Sequence, residues 1–294
     1  MRGDVPGCEV RVPGTLEEAL DGLHREPGQW RPLAGGTDLM VPFAAGRLAD
    51  TRFLSLHRLA ELRAVELTDA GLVLGALVTY AQVRQHPGIL AQWPNLVSSA
   101  QATGAVAIQN RGTLGGNLVN ASPAADTPPS LLAYGAQVEL SSVRGARWVD
   151  YADFHTGYKR TVMAPDELLT RIRVPAAGPG FHFFRKVGTR AAQAVAKVCL
   201  AAYARVEAGV VREFRVGLGS LAPVPARARA TEAVILGAPV AGLAVRLGAR
   251  AREALLADIS PVDDLRSTAN YRRTVAGNVL VQALGELEAE LGGR

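Results

Sequence analysis

The stretch LAGGTDLM, residues 33–40, places two consecutive glycines directly after a short apolar run and follows them with a threonine and an aspartate. Such a pair suits a tight turn, because glycine adopts positive φ angles without steric penalty. It also suits a site where a ligand lies against the backbone, since successive N–H groups can then form a concavity for anionic oxygens. This stretch alone leaves both interpretations open.

A second stretch, NRGTLGGN at residues 110–117, contains the same parts, a Gly-Gly pair with a threonine close by. Each loop could hold one phosphate through amides and a hydroxyl, and a diphosphate would need both loops together. Neither is a Walker loop, which requires Gly-Lys-Ser/Thr, and neither has the G-x-G-x-x-G spacing of a Rossmann fingerprint. Asp38 and Asp126 would repel a phosphate, so we expect them to face ribose, base or backbone.

Taken singly, each candidate side chain has an ordinary structural explanation. Asp126 precedes TPP and could cap the N-terminus of a helix. Lys186, in FFRKVG, could be a solvated strand residue, and Arg111 could be a surface arginine. A functional interpretation therefore depends on the combination of motifs rather than on any one residue.

Around the first loop, local patterns alternate between helix and strand. Thr15, with Glu18 three residues later, is typical of a capped helix start. Residues 30–34 and 51–56 are predicted strands, and residues 37–46 a helix interrupted by a proline. This alternation predicts a small parallel sheet.

Beyond residue 60 the pattern changes to a predicted hairpin at 63–80, two helices, and the glycine-rich second loop. The stretch VPAAGPG, residues 174–180, has the composition of a linker. Three antiparallel strands and a C-terminal helix with an apolar stripe follow it. We predict a first domain at residues 1–178, with subdomains of about 1–57 and 58–178, and a second domain at 179–294.

Composition narrows the function classes. Hydrophobic residues make up 48% of the chain and charged residues 20%, an ordinary globular balance. The net charge is +5, but the basic residues are mostly scattered arginines without a concentrated patch, so we expect no nucleic-acid partner. Because no apolar run reaches the roughly 18 residues of a membrane span and no secretory h-region is present, we expect a cytoplasmic protein without an integral membrane segment.

Cysteine and histidine usage argues against a metal centre. The two cysteines, Cys8 and Cys199, have no neighbour at metal-ligand spacing, and the five histidines are isolated. An iron–sulfur cluster or zinc site needs three or four ligands. We therefore expect no iron–sulfur cluster and no metal in this chain.

The motifs in combination are more specific. PLAGGTDLM, followed about 76 residues later by RGTLGGNLVNASPAADTPPSLLA, resembles the FAD-binding medium subunit of the molybdenum hydroxylases. That family includes carbon monoxide dehydrogenase, xanthine dehydrogenase, nicotinate and aldehyde dehydrogenases and aromatic acyl-CoA reductases. The resemblance extends to FFRKVGTRAAQAVAKV at 183–198 and STANYRRTVAGNVLVQAL at 267–284, and so covers nearly the whole chain.

The resemblance implies an α+β fold. It consists of a vanillyl-alcohol-oxidase or PCMH-type FAD-binding domain of two α+β subdomains, followed by a C-terminal three-stranded antiparallel sheet with helices. FAD would lie extended between the subdomains, with its diphosphate on the two glycine loops.

Cofactor-binding residues are carried over position by position. The resemblance assigns the loops to Pro32, Leu33, Ala34, Gly35, Gly36, Thr37, Asp38 and Leu39, and to Thr113, Leu114, Gly115, Gly116 and Asn117. Thr103 matches a position that approaches the cofactor, and Asp126 one near its adenosine or phosphate end. Leu168 and Lys186 match positions near the isoalloxazine, where a positive charge would stabilise an anionic reduced flavin.

Two departures from the family pattern stand out. Gln109 replaces the first arginine of the Ile-Arg-Asn that commonly precedes RGT, while Arg111 remains. The aromatic that some members stack near the flavin is also missing, because residues 191–193 are Ala-Ala-Gln. The sequence therefore leaves two points open: how the second loop binds charged groups, and the geometry on the side of the flavin that faces the electron acceptor.

The implied function is that of an FAD-binding electron-transfer subunit in a molybdopterin-dependent hydroxylase or dehydrogenase. Electrons would arrive from a 2Fe-2S small subunit, itself reduced by a molybdopterin-binding large subunit, and pass to NAD, a quinone or another acceptor. The assembly would be a dimer of heterotrimers, and this chain would need no catalytic acid or base. The alternative is a stand-alone FAD oxidoreductase of the same fold.

Overall fold

In the computed structural model, residues 7–292 are described, so the first six and last two residues of the predicted domains lie outside the described part. The first subdomain is built on a short sheet in the order β1-β3-β2 whose strands are all parallel, as predicted. Its elements are β1 (Glu9–Arg11), α1 (Leu16–Arg25), β2 (Arg31–Leu33), α2 (Met40–Ala44) and β3 (Arg52–Ser55).

The start of α1 follows the predicted cap with one difference. Thr15 Oγ1 accepts the Glu18 N–H at 3.1 Å, while Glu18 Oε2 accepts the N–H of Gly14 at 2.7 Å rather than that of the cap residue itself. Both bonds pair helix-end donors that would otherwise be left without a partner. The helix buries Leu20 and Leu23 against the sheet.

The second subdomain contains a five-stranded antiparallel sheet in the order β4-β5-β10-β6-β7, covered by helices. Its first elements are β4 (Val65–Thr68), β5 (Gly71–Gly75), α3 (Tyr80–Gln85), α4 (Pro87–Gln92), α5 (Pro94–Ala102), α6 (Val106–Arg111), α7 (Leu114–Val119) and α8 (Pro128–Tyr134). The remainder are β6 (Gln137–Ser142), β7 (Gly145–Asp150), α9 (Tyr151–Phe154), β8 (His155–Gly157), β9 (Arg160–Thr161) and β10 (Leu168–Pro175).

The predicted hairpin is present as β4 and β5, but the helices that follow are three rather than two. Pro87 and Pro94 each occupy the first helical position, where the missing N–H does no harm, and so each begins a separate helix. Trp93 lies at the break with its side chain fully buried, and its indole N–H donates to Pro175 O at 2.9 Å. The break therefore anchors the helical layer to β10.

The C-terminal domain is an antiparallel sheet in the order β11-β12-β13-β14, backed by helices. Its elements are β11 (Phe181–Val187), β12 (Val198–Glu207), β13 (Val210–Gly219), β14 (Ala226–Arg227), α10 (Arg229–Ile235), α11 (Leu243–Asp258) and α12 (Ala269–Leu291). The prediction of three strands is wrong by one, since a two-residue strand within the proline-rich stretch pairs with Gly217 and Leu218. The apolar stripe predicted on the last helix is buried, as expected.

The two domains meet where α8 packs on β12 and β13. A Cβ at Gly217 would lie 2.0 Å from Pro129 O, so glycine is required for this close approach. Polar groups also cross the interface: Asn95 Nδ2 donates to Ala202 O at 2.9 Å, and Tyr134 Oη lies 2.9 Å from His182 Nδ1. The interface is thus both tightly packed and hydrogen-bonded.

We expect His182 to make this protein less stable in mild acid. Burial lowers the pKa of His182 to about 4. Between that value and about 6.5 the unfolded chain binds a proton that the native chain does not, so the free energy of unfolding falls as pH drops through this window. His182→Gln keeps a polar partner for Tyr134 but cannot titrate. Urea unfolding at pH 7 and pH 5 should show the wild type losing about 1–2 kcal/mol more than the variant; equal losses would contradict the assignment.

Candidate functional site

A cleft runs between the first and second subdomains, and both glycine loops line it. The structure brings together these predicted residues: Pro32, Ala34, Gly35, Gly36, Thr37, Asp38, Leu39, Thr103, Thr113, Gly115, Gly116, Asn117 and Leu168. Of the other predicted residues, Leu33 and Leu114 belong to the same loops but do not line the cleft, and Leu114 is a buried core residue. Asp126 and Lys186 lie outside the lining as well.

The first loop lines the cleft and has unpaired backbone donors. Between β2 and α2, the N–H groups of Gly35, Gly36, Thr37 and Asp38 have no acceptor anywhere in residues 7–292. Gly36 has φ +76°, a conformation that side-chain-bearing residues rarely adopt. Consecutive free amides on a turn of this kind form an anion-binding concavity. The loop can therefore receive phosphate oxygens without any lysine or arginine.

The second loop does not work in the same way, which corrects the prediction that each loop offers its amides to a phosphate. Its residues continue into α7, and the amides are already used within the protein. The N–H groups of residues 114, 115, 116 and 117 donate to Val78 O, Ala76 O, Thr113 Oγ1 and Thr113 O, respectively. The groups left for a ligand are the backbone N–H and the hydroxyl proton of Thr113 and the Asn117 side chain, whose Oδ1 is buried without a partner.

The glycines of the two loops serve different purposes. A Cβ at Gly35 would lie 1.9 Å from Arg111 O, and a Cβ at Gly115 would lie 2.6 Å from the Cβ of Ala76. Both residues therefore let backbone segments of the protein approach one another, and Gly35 joins the two loops directly. Gly36 supplies the turn and, with it, the orientation of the free amides. The first Gly-Gly pair is thus both a packing device and a ligand-facing turn.

Thr103 reaches the cleft at the end of a segment with unusually well-paired carbonyls. Gln109 Nε2 donates to Gln101 O at 3.0 Å and to Thr103 O at 2.9 Å, and Lys186 Nζ donates to Ala102 O at 2.8 Å. We call residues 101–103 the capped segment. Gln109, from the next helix, and Lys186, from the C-terminal domain, therefore fix the position of this segment, whose Thr103 lines the cleft.

Gln109, the departure from the family pattern, has a structural explanation. It is buried, and its Oε1 accepts a hydrogen bond from the Arg84 guanidinium. The amide supplies two donors to carbonyls, and Arg84 supplies a positive charge beside it. The positive charge missing from position 109 is therefore present beside it, on Arg84 of α3.

Asp126 and Lys186 form an ion pair, with Nζ 2.6 Å from Oδ2 and both side chains only about a tenth exposed. Burial raises the pKa of Asp126 to about 6, although Lys186 opposes the shift. Asp126 Oδ1 is buried without a partner. Because the two residues touch, they would face the same part of an extended cofactor, so a place for Asp126 at the adenosine and for Lys186 at the isoalloxazine would not both hold.

Leu168 makes different contacts from the Asp126–Lys186 pair. It lines the cleft and belongs to the core of the first subdomain with Leu20 and Trp30, whereas Lys186 contacts the capped segment. The sequence assigned Leu168 and Lys186 to the same end of the cofactor. Leu168 lines the cleft beside other apolar side chains, including Leu56 and Leu77.

Several cleft residues were missed by the sequence reasoning. Tyr80 lines the cleft with its side chain almost fully buried, and burial raises the pKa of its hydroxyl above the usual range. A usable signal was the Thr79–Gln82 capping box, which fixes the start of α3 and hence the position of Tyr80. Asn120 and Arg31 also line the cleft, and no local pattern marked them.

Residues 7–292 bring together no group of three or more histidine, cysteine, aspartate or glutamate side chains suited to holding a metal ion. None of the helices in that described range combines the length and apolar character needed to cross a lipid bilayer.

Comparison with known proteins gives a consistent result. Residues 7–177 match the family described as the FAD binding domain in molybdopterin dehydrogenase, and residues 183–287 match the CO dehydrogenase flavoprotein C-terminal domain. The chain is 29% identical over 285 residues to the xanthine dehydrogenase FAD-binding subunit of Escherichia coli, covering 95% of this chain and 96% of that one. It is 30% identical over 274 residues to the glyceraldehyde dehydrogenase medium chain of Sulfolobus acidocaldarius, covering 93% and 95%.

A solved structure shares the fold over nearly the full length. Carbon monoxide dehydrogenase from Hydrogenophaga pseudoflava matches with a TM-score of 0.90 and 28% sequence identity, covering 97% of this chain and 98% of that one. The carbon monoxide dehydrogenase medium chain of the same organism is 29% identical over 285 residues, covering 95% of this chain and 96% of that one.

Proposed function

The chain belongs to the family of FAD-binding medium subunits of molybdopterin dehydrogenases, and from that premise we propose that it holds FAD and relays electrons within a multi-subunit oxidoreductase. FAD is the cofactor of this family, and the relatives described above are dehydrogenase subunits. The single observation that carries the proposal for this chain is the run of N–H groups, including those of residues 35–38, that have no acceptor among the described residues and belong to a loop lining the cleft.

Within the proposal, the two loops share the cofactor unequally. The amides of the first loop would hold the diphosphate, because they are the unpaired donors. Thr113 and Asn117 would bind oxygen or hydroxyl groups from the opposite wall, and the orphaned Asn117 Oδ1 would gain a partner. The apolar part of the cleft near Leu168 would cover a ring system. The other predicted cofactor residues stay part of the proposal. Among them, Asp126 and Lys186 would lie at the end of the site nearest the capped segment, which Lys186 contacts.

FAD, when bound, supplies the ability to take up electrons singly and release them in pairs. The chain's own contribution would be to bind it, orient it and exclude water. We propose that the electrons come from a 2Fe-2S small subunit, that a molybdopterin-binding large subunit oxidises the substrate, and that NAD, a quinone or another acceptor takes the electrons away. The further proposal is a dimer of heterotrimers. The cytoplasmic location remains a prediction from the sequence.

The first test is an absorption spectrum of the purified chain, followed by acid release and identification of any chromophore. We expect flavin bands, with FAD rather than FMN released. A colourless chain that also fails to take up added FAD would remove the proposal. Co-expression with the proposed large and small subunits then distinguishes a subunit of a complex from a stand-alone oxidoreductase. An FAD-loaded chain that forms no complex and oxidises substrate alone would favour the stand-alone oxidoreductase.

A further inference from the structure

We propose that Lys159, a residue outside both glycine loops, is a cofactor-retention residue whose ammonium group neutralises the diphosphate at the mouth of the cleft. This inference rests on the proposed function, since it concerns how FAD is held. The sequence reasoning had assigned phosphate binding to amides and hydroxyls only, and none of the loop residues is a lysine.

The backbone at Lys159 is specially arranged. The residue lies between β8 and β9, and it has φ +57°, a left-handed conformation that is uncommon for a residue with a side chain. Asparagine, aspartate or glycine would meet such a turn with less strain. Backbone strain in a short turn such as the β8–β9 connection needs a compensating interaction. Here the Lys159 side chain makes a hydrogen bond to Asn120.

The side chain of Lys159 points to the cleft wall. Its Nζ donates to Asn120 Oδ1 at 2.6 Å, and Asn120 lines the cleft directly after α7. The ammonium group carries three donors, so the bond to Asn120 leaves two for another acceptor. Lys159 itself does not line the cleft, but the hairpin holds its positive charge against Asn120, which does.

The charge balance of the cleft supports a role for this cation. The charged side chains that line it are Arg31 and Asp38, which together carry no net charge. Partial burial lowers the pKa of Lys159. Asp38 favours the charged form of Lys159 and Arg31 disfavours it. A diphosphate carries about two negative charges and would be repelled by Asp38. Arg31 and Lys159 together would offset the phosphate charge, leaving Asp38 to face a hydroxyl group or the solvent.

A purely structural role for Lys159 gives different expectations. If its only task were to join the β8–β9 hairpin to α7, its loss would change stability and would affect all cofactor fragments alike. If it neutralises phosphate, its loss would matter for ligands that carry a diphosphate, would not matter for the flavin ring alone, and would depend on ionic strength.

The test uses the full chain freed of flavin, with Lys159→Met as the variant. Methionine keeps a long unbranched side chain and the same backbone strain, and it removes the charge together with the hydrogen bond to Asn120 Oδ1. Lys197→Met is the matched control, because Lys197 lies in the C-terminal domain with its Nζ 5.1 Å from the Tyr271 ring. Dissociation constants for FAD, ADP and riboflavin are measured by calorimetry or flavin fluorescence at low and high salt, with thermal unfolding of each variant as a folding check.

We expect Lys159→Met to raise the FAD dissociation constant about tenfold at low salt, the size of effect typical for one charge-assisted hydrogen bond at a partly exposed site. ADP binding should weaken in parallel, riboflavin binding should not change, and the gap to wild type should narrow at high salt. Lys159→Arg should retain most of the affinity, and Lys197→Met should match the wild type.

Two results would overturn the inference and are distinguishable from failure of the proposed function. Equal FAD affinity in Lys159→Met and Lys197→Met would remove the role of Lys159 while leaving an FAD-binding protein. A parallel loss of riboflavin and FAD affinity would reduce Lys159 to a structural contact. A wild-type chain that binds no FAD would instead remove the proposed function, and the inference with it.

Discussion

Gly36→Val is expected to abolish FAD retention while leaving the rest of the chain folded. Gly36 has φ +76°, and valine is strongly disfavoured there because its branched Cβ clashes with the backbone. Relief of that strain rotates the peptide units on either side, and these carry the free N–H groups of the first loop. We expect FAD affinity to fall by about a hundredfold or more, which corresponds to the loss of two amide contacts to a charged group.

Gly46→Val provides the matched control. Gly46 lies in the same subdomain with φ +64°, and a Cβ there would meet no atom within 4 Å. It therefore carries a similar backbone strain, about 1–3 kcal/mol, without any connection to the cleft. Flavin content after gel filtration and the melting temperature are measured for both variants. If Gly36→Val keeps its flavin, or if both variants lose it equally, the first loop is not the diphosphate site.

Lys186→Met is expected to destabilise the fold strongly at neutral pH, because it leaves the Asp126 carboxylate buried without its partner. Removal of one member of a buried ion pair typically lowers the free energy of unfolding by about 3–5 kcal/mol. The double variant Asp126→Asn, Lys186→Met should recover most of that loss, since no unpaired charge remains. Urea unfolding of the two single variants and the double variant gives the coupling free energy directly.

The pH dependence of that loss follows from the Asp126 pKa of about 6. The native pKa of Asp126 is higher than its unfolded value of about 3.8, so between these two values the native chain binds a proton that the unfolded chain does not. The free energy of unfolding contributed by this group therefore falls as pH rises from about 3.8 to about 6. At pH 5 the carboxyl group is largely protonated and the ion pair is weakened already. The effect of Lys186→Met should therefore be smaller at pH 5 than at pH 8. If Lys186→Met lost as much or more free energy of unfolding at pH 5 as at pH 8, the ion pair with Asp126 would not be the source of the stabilisation by Lys186.

Much of the fold could be predicted because it depends on local patterns. The helix cap at Thr15, the parallel strands beside the first loop and the stripe on α12 all follow from short-range periodicity and capping chemistry. Both glycine loops were also recognisable as ligand-facing candidates, since a Gly-Gly pair next to a threonine is a local feature. The structure places both of them on one cleft.

What could not be predicted depends on tertiary contacts. The amides of Leu114 and Gly115 in the second loop are occupied by Val78 and Ala76, which are distant in sequence, so the availability of these two amides is invisible in NRGTLGGN itself. The contact between Asp126 and Lys186 joins two domains. The short strand β14 lies in a proline-rich stretch whose composition favours a loop.

The core of the first subdomain has a consequence for how the cleft is held together. That core includes Leu62, Leu77 and Leu168, which all come from the second subdomain, so the small parallel sheet has no complete apolar interior of its own. The loop that presents the free amides is carried by this sheet. Moving this sheet away from the second subdomain would expose these leucines to water, so the shared core holds the two sides of the cleft together before any cofactor binds, and a bound ligand spanning the cleft would strengthen that hold.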